Sequence, residues 1–145
     1  MENTLAFTIT YLYKDFLAYS TGELKKLGLS FGQLPFILYI AKHPGCTQSE
    51  LTKHLRMDWG HSQRSITKLV EEEFIEKKYL TGDRKSYHLY LTSTGRQAFD
   101  ASHNFFDAWD KIQLKSLSED EQQQLLSLLH RLTLSKEISK RHESL

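Results

Sequence analysis

Thr47-Gln48-Ser49-Glu50-Leu51-Thr52-Lys53-His54-Leu55, then Arg56-Met57-Asp58, then Trp59-Gly60-His61-Ser62-Gln63-Arg64-Ser65-Ile66-Thr67-Lys68-Leu69-Val70, reads as two short helices joined by a tight turn. Thr47 and Glu50 have the spacing of a capping box, in which a hydroxyl and a carboxylate satisfy backbone N–H groups that a helix start leaves unpaired. Leu51 and Leu55, four apart, give the first helix (Gln48 to Leu55) one apolar face. Asp58 is suited to cap the second, in which Ser62, Ile66, Leu69 and Val70 share a face and which ends near Glu73 or Phe74. A short helix, a turn of about three residues and a second amphipathic helix make a helix-turn-helix.

Downstream the period changes. Ile75 to Tyr79 and Tyr87 to Leu91 read as two short strands, and the polar Thr81-Gly82-Asp83-Arg84-Lys85-Ser86 between them holds the glycine a hairpin tip wants. A hairpin placed there makes the helix-turn-helix winged. Thr92 caps a long helix to about Lys115, with Ala98, Phe99, Phe106 and Trp109 inward. Ser118 and Glu121 open a last helix reaching about Ser139, with Leu125, Leu128, Leu129 and Leu132 at helical spacing.

Upstream, Ser30 and Gln33 form a further capping box, opening a helix from about Phe31 to Lys42 that His43-Pro44-Gly45 ends. The first helix covers roughly Thr4 to Leu27. Its stripe of Leu5, Ile9, Leu12, Phe16 and Leu17 is widened by Tyr11, Tyr13 and Tyr19. A helix apolar on most sides is buried on most sides, and a partner chain is the economical cover for one at the end of a 145-residue protein. The expected fold is mainly α with a small β-hairpin wing. A winged helix-turn-helix DNA-binding domain spans 30–95, and a helical dimerisation region is built from 1–29 and 96–145.

Bulk composition narrows the class. Hydrophobic residues make up 39% and charged residues 26%, which is ordinary globular composition. The uncharged stretch Leu27 to Ala41 is too short and too broken to span a bilayer, and the N-terminus lacks the basic start and apolar core of a secretion signal. One cysteine, Cys46, excludes an intrachain disulfide framework and suits a reducing compartment, so a cytoplasmic protein with no membrane partner is expected. Net charge is only +1. Local distribution is more telling, because Lys53, Arg56, Arg64 and Lys68 face Asp58 alone between Thr52 and Lys68. Acid gathers instead in Glu71-Glu72-Glu73 and Glu119-Asp120-Glu121.

This pattern implies double-stranded DNA as partner. The second helix of such a motif lies in the major groove, where base edges are distinguishable. Trp59, Gly60, His61, Gln63 and Arg64, with Thr67 and Lys68 one turn on, are the candidate reading residues. Glutamine pairs well with adenine and arginine with guanine, while Gly60 lets the backbone come close. Thr47, Gln48 and Ser49 open the preceding helix, whose free N–H groups and dipole suit a DNA phosphate. Arg84 and Lys85 at the wing are expected to reach flanking backbone or minor groove.

The chain resembles the MarR (multiple antibiotic resistance regulator) family over nearly its whole length. The similarity is carried by Gly28-Leu29-Ser30-Phe31-Gly32-Gln33, by His43-Pro44-Gly45-Cys46-Thr47-Gln48-Ser49-Glu50-Leu51, by Asp83-Arg84-Lys85 through Leu91-Thr92-Ser93-Thr94-Gly95-Arg96, and by Leu117-Ser118-Glu119-Asp120-Glu121. It implies a homodimer on a pseudo-palindromic operator, repression of transcription, and relief by a small phenolic, lipophilic or oxidising effector. Three positions depart from the family pattern. Lys85 stands where the wing usually has arginine, so either Arg84 takes the minor-groove role or the wing mainly attracts phosphate. Glu73 stands where a glycine is common and gives up an easy left-handed cap. Asp58-Trp59-Gly60-His61 replaces the usual serine- and threonine-rich helix start.

Other residues invite sharper readings. Tyr13, Phe31, Phe36, Phe106 and Trp109 come from helices expected to meet where dimer and DNA lobes join; they either line an effector pocket or fill the core. Cys46 beside Lys42 and His43 suggests a redox sensor or, more simply, a semi-buried thiol. Asp100, His103 and Asp107 share a helix face, but mixed ligands at that spacing arise easily by chance, so no metal and no cofactor are expected. No Gly-rich phosphate loop, nucleophile elbow or His-Glu-x-x-His is present, and Cys46 with His43 lacks an orienting third group, so the protein is not expected to be an enzyme. A winged helix used only for protein–protein contacts is the competing reading.

Overall fold

The computed structural model describes residues 2–80 and 82–143, with backbone alone for 83–85 and 135–143. Among the described residues the order is α1 (Leu5–Lys26), α2 (Leu34–Lys42), α3 (Gln48–Leu55), α4 (Trp59–Glu71), β1 (Ile75–Leu80), β2 (Asp83–Leu91), α5 (Ser93–Gln113) and α6 (Glu119–Glu143). The expected helices and antiparallel hairpin are all present. Backbone packing divides the chain into two compact units, 1–107 and 108–145.

The core of the first unit draws on almost every element. Leu24, Phe36, Ile37, Ile40, Leu51, Ile66, Leu69 and Leu89 have no exposed surface. Helix α1 joins this core from Phe16 onward, with Phe16 and Tyr19 packed against it and Leu24 and Ser20 buried, the Ser20 hydroxyl donating to the Phe16 carbonyl at 2.7 Å. Its N-terminal half stays exposed.

Two element starts differ from the sequence reading, and two helix ends do as well, α4 stopping at Glu71 and α6 running on to Glu143. Helix α2 starts at Leu34 rather than near Phe31, because Pro35 has no N–H to bond back to Phe31 and is tolerated only in a first turn. The Ser30–Gln33 box is accordingly half made. Gln33 Oε1 accepts from Ser30 N at 2.8 Å, while Gln33 Nε2 donates to Glu72 Oε2 at 3.1 Å, joining the start of α2 to the end of α4. Strand β2 starts at Asp83 rather than Tyr87, with the register closing at Leu80 opposite Asp83. Strand ladders bond through the backbone, so the polar side chains that suggested a long loop were no obstacle.

Two backbone junctions hold the lobe together. Gly45 (φ +84) donates to the Leu89 carbonyl at 2.8 Å, and Leu89 N donates to the Cys46 carbonyl at 2.9 Å, so the turn into α3 pairs with β2. At the other junction the Phe74 carbonyl accepts Thr92 N and Thr92 Oγ1, each at 3.1 Å. Thr92 Oγ1 also donates to the Glu73 carbonyl at 2.6 Å and accepts Gly95 N at 3.0 Å. A Cβ on Gly95 would lie 2.0 Å from the Phe74 oxygen, which no side chain tolerates.

In the second unit, Ser118 and Glu121 complete their box with bonds of 2.9 and 3.2 Å. Gln122 Nε2 donates to the carbonyls of Leu114 and Leu117, closing the α5–α6 connection.

Helix α4 ends with Glu73 in the left-handed region, φ 63, where a residue with a Cβ costs about 1–2 kcal/mol. After glycine's larger chain entropy is deducted, Glu73→Gly is expected to stabilise the protein by about 0.5–1 kcal/mol in urea unfolding. Gly95→Ala, with a backbone oxygen in the way, is expected to destabilise it by roughly 1–3 kcal/mol in the same assay.

Candidate nucleic-acid interface

Helix α3 begins as its capping box requires. Thr47 Oγ1 accepts Glu50 N at 3.2 Å, and Glu50 Oε2 accepts Thr47 N at 3.0 Å. The three residues expected at a DNA phosphate are not equivalent. Ser49 is exposed, Thr47 half-buried and Gln48 only 4% exposed. Gln48 Oε1 accepts the Tyr87 hydroxyl from β2, while its Nε2 is buried with no hydrogen-bond partner among the described residues. Its first partner is therefore the wing.

Arg56, in the left-handed conformation (φ 54), turns the chain from α3 toward α4. The Thr52 and Ser62 hydroxyls, 2.6 Å apart, bond across the two helices, and Ile66 and Leu69 bury the inner face of α4. Asp58 caps α4 by accepting His61 N at 2.9 Å. This bond, aided by the nearby positive charge of Arg64, holds its carboxyl below the usual aspartate value.

Inner-face packing leaves the opposite face of α4 free to form an open polar groove of about 580 Å³. Gly60, Gln63, Arg64, Thr67 and Lys68 line it, with Glu71 and Glu72 at its far end. A Cβ on Gly60 would come within 3.2 Å of an Arg64 guanidinium nitrogen and 3.3 Å of Asp58 Oδ1, so the missing side chain leaves room for Arg64 over the helix start. Lys68 lies 3.9 Å from Glu72, an exposed pair of little energetic weight. Positive charge therefore sits toward the N-terminal and middle turns, and acid closes the C-terminal end.

Trp59, 53% exposed, does not line that groove; with Thr47, Gln48, Ser49, Ser86 and Tyr87 it lines a second cleft of about 280 Å³ between α3, α4 and the wing. His61 is exposed and belongs to neither set. The side chains of Arg84 and Lys85 lie outside the described residues. The wing carries two lysines the sequence reading passed over: Lys77 Nζ stands 4.5 Å over the Tyr87 ring and Lys78 Nζ 4.7 Å over the Tyr90 ring. The adjacent pair in Glu76-Lys77-Lys78-Tyr79 was the available signal, but strand alternation alone does not say which face each lysine takes.

The remaining candidates are dispersed. Phe36 has no exposed surface and is filled core. Phe16 stacks on Phe106 (ring centres 5.3 Å apart) and meets Phe31 edge-on at 6.3 Å, whereas Tyr13 is 52% exposed and Trp109 belongs to the second compact unit. Cys46 is buried, and burial followed by the charge of Glu50 pushes its thiol up to about 11, the opposite of what a reactive thiolate needs. His103 turns Nδ1 toward the Phe99 carbonyl at 3.0 Å, and among the described residues no three His, Cys, Asp or Glu side chains gather as metal ligands would.

A helix-turn-helix whose second helix presents an open polar face, followed by a lysine-bearing hairpin, defines a winged helix-turn-helix DNA-binding protein. Comparison with known proteins narrows the class. The sequence model described as MarR family matches residues 27–86. The HTH-type transcriptional regulator BilQ of Clostridium symbiosum is 41% identical over 137 residues, covering 94% of this chain and 95% of that protein. Among solved structures, a MarR transcriptional regulator from Methanosarcina mazei Go1 superposes with a TM-score of 0.79 at 25% identity, over 91% of this chain and 95% of that one. A Listeria monocytogenes protein described as a MarR family regulator complexed with 26mer DNA gives a TM-score of 0.74 at 24% identity, over 93% and 89%. The chain belongs to the MarR family of winged helix-turn-helix transcriptional regulators.

The Asp58 cap gives α4 a testable pH signature. A carboxyl held below its unfolded value stabilises the fold above that value and loses the contribution as pH falls through the folded one. Asp58→Ala is expected to lower the urea midpoint at neutral pH, with the gap from the parent closing as pH drops through and below the ordinary value of 3.8. A gap that persists unchanged into acid would mean the cap is not the source.

Proposed function

We propose that the protein acts in the cytoplasm as a homodimeric repressor, reading a pseudo-palindromic operator with one α4 in each of two successive major grooves. The observation that carries this reading is the groove face of α4. Gln63 and Arg64 have the side chains suited to adenine and guanine edges, and Thr67 and Lys68 lie one turn on. The exposed Ser49 and the N-terminal N–H groups of α3 supply a phosphate contact. Lys77 and Lys78 of β1 add positive charge to the wing, and Arg84 and Lys85 are assigned the flanking backbone or minor groove. The relatives are regulators rather than enzymes, and this surface binds and positions without a catalytic group.

Dimerisation is supported by what each compact unit leaves uncovered. Leu5, Ile9, Leu12 and Tyr13 on α1, and Leu125, Leu128, Leu129 and Leu132 on α6, are 37–55% exposed. Covering the rest of one such side chain is worth roughly 1 kcal/mol, so the stripe of one helix does not offset the roughly 4–15 kcal/mol that association costs. Both helices from both chains together do. A small phenolic or lipophilic effector that relieves repression fits the same assembly, with Phe31 and Phe106 beside Phe16 as the ring-lined starting point for its site.

Fluorescence anisotropy against duplex DNA from upstream of the gene, at several salt concentrations and with scrambled competitor, tests the reading. Tight, sequence-selective binding that falls steeply with salt is expected. Arg64→Ala should cost about 1–3 kcal/mol and relax specificity at one base pair, whereas Lys85→Ala should weaken all sequences alike and lower the salt slope by about 1. Weak binding that ignores both sequence and salt would remove DNA as partner and leave a protein-interaction module. In sedimentation velocity the parent chain should run as a dimer, and the double variant Leu128→Glu, Leu132→Glu should shift it toward monomer.

A further inference from the structure

Trp59 opens α4 as an exposed indole, and neither the cap nor the core accounts for it. Asp58 makes the capping bond with its own carboxylate, and Ser62, Ile66 and Leu69 fill the buried face of the helix. Trp59 lies instead in the cleft beside the wing, where Tyr87 supplies the second ring of the lining.

No charged residue lines this cleft. Two of its polar side chains are already engaged within the fold: Thr47 Oγ1 accepts Glu50 N, and Gln48 Oε1 accepts the Tyr87 hydroxyl. Positive charge stands close by without entering the lining, with Lys77 Nζ 4.5 Å over the Tyr87 ring and the Arg64 guanidinium near Gly60 at the start of α4. An acid or a phosphate finds no partner charge among the lining residues. What the cleft offers is ring surface between cations, on the same helix start that carries the polar groove.

The chemistry of a duplex matches that surface at one point. With α4 in the major groove, its first residue meets base edges, which present donors, acceptors and a single apolar group, the C5 methyl of thymine. We propose that Trp59 is a specificity-determining residue whose indole covers the C5 methyl of one thymine in each operator half-site. The assignment rests on the DNA reading above and adds to it a contact made by neither charge nor hydrogen bond. Gln63 and Arg64 are suited to purine edges; Trp59 separates thymine from cytosine. An uncharged contact displaces no counterions from the backbone, so it leaves the salt slope of binding unchanged.

The test replaces thymines of the operator duplex by deoxyuridine, one symmetric pair at a time. Each replacement keeps every base-pair hydrogen bond and removes only the C5 methyl. Binding of the full chain is read by fluorescence anisotropy. Burying one methyl is worth about fourfold in affinity, so one symmetric pair is expected to weaken binding roughly fifteenfold. At that pair Trp59→Ser should bind the thymine and deoxyuridine duplexes alike, each about as weakly as the parent binds deoxyuridine, with the salt slope of the parent. Trp59→Phe, which keeps a ring, should recover part of the discrimination, and since residue 59 is exposed, circular dichroism should show both variants folded as the parent is. Tight operator binding that loses nothing at any deoxyuridine pair would overturn the assignment and leave the DNA reading intact. So would a Trp59→Ser variant that keeps the parent's sensitivity at every pair, a result that would move the indole to the deoxyribose. Absence of sequence-selective binding by the parent would overturn both.

Discussion

The Phe74 carbonyl accepts both the N–H and the hydroxyl of Thr92, and Gly95 approaches it so closely that a Cβ there would lie 2.0 Å away. Three elements meet at this point: the end of α4, the first strand of the wing and the start of α5. Fixing them together gives the wing a set position relative to α4, which a surface reading both groove and backbone requires. The close approach carries a local cost in Glu73, held left-handed just before the junction. A similar backbone pairing of Gly45 and Cys46 with Leu89 anchors the wing to the start of α3, so the hairpin is held at both of its inner ends.

Electrostatics in this protein is local. A net charge of +1 says little about a nucleic-acid partner, yet α4 sorts its charges along one face, with Arg64 and Lys68 preceding Glu71 and Glu72. Asp58 puts a negative charge at the start of the same helix, and its helix-capping bond accounts for its presence. On the wing, Lys77 and Lys78 lie over tyrosine rings, which limits the freedom of their long chains, and Lys78 also stands 3.5 Å from Glu76.

Much of the fold was legible because its signals are local. Helix α3 runs over the expected residues, since Thr47 and Glu50 close their box within one turn. Asp58 and Ser118 announced α4 and α6 in the same way. Ser30 and Gln33 carry the same pattern and misled by three residues, because Pro35 displaced the helix start and Gln33 turned its amide to Glu72, 39 residues on. The candidate interface divided similarly. Gln63, Arg64, Thr67 and Lys68 share a face by helical period alone, whereas the spacing at the start of α3 does not tell that Gln48 is buried against Tyr87. Trp59 adjoins these groove-lining residues in sequence but lines the cleft beside the wing.

The sequence by itself determined the order of elements, the helix-turn-helix and the polar face of α4, since each depends on residues within a few turns of one another, and the family resemblance adds up such local segments. Only the tertiary structure decided that Gln48 belongs to the wing, that Cys46 is sealed beside Glu50 with its thiol held protonated, that Phe36 is core, and that Trp59 shares a cleft with Tyr87. Those outcomes depend on contacts between residues far apart in the chain, where burial and hydrogen-bond geometry, rather than spacing, select a side chain's partner.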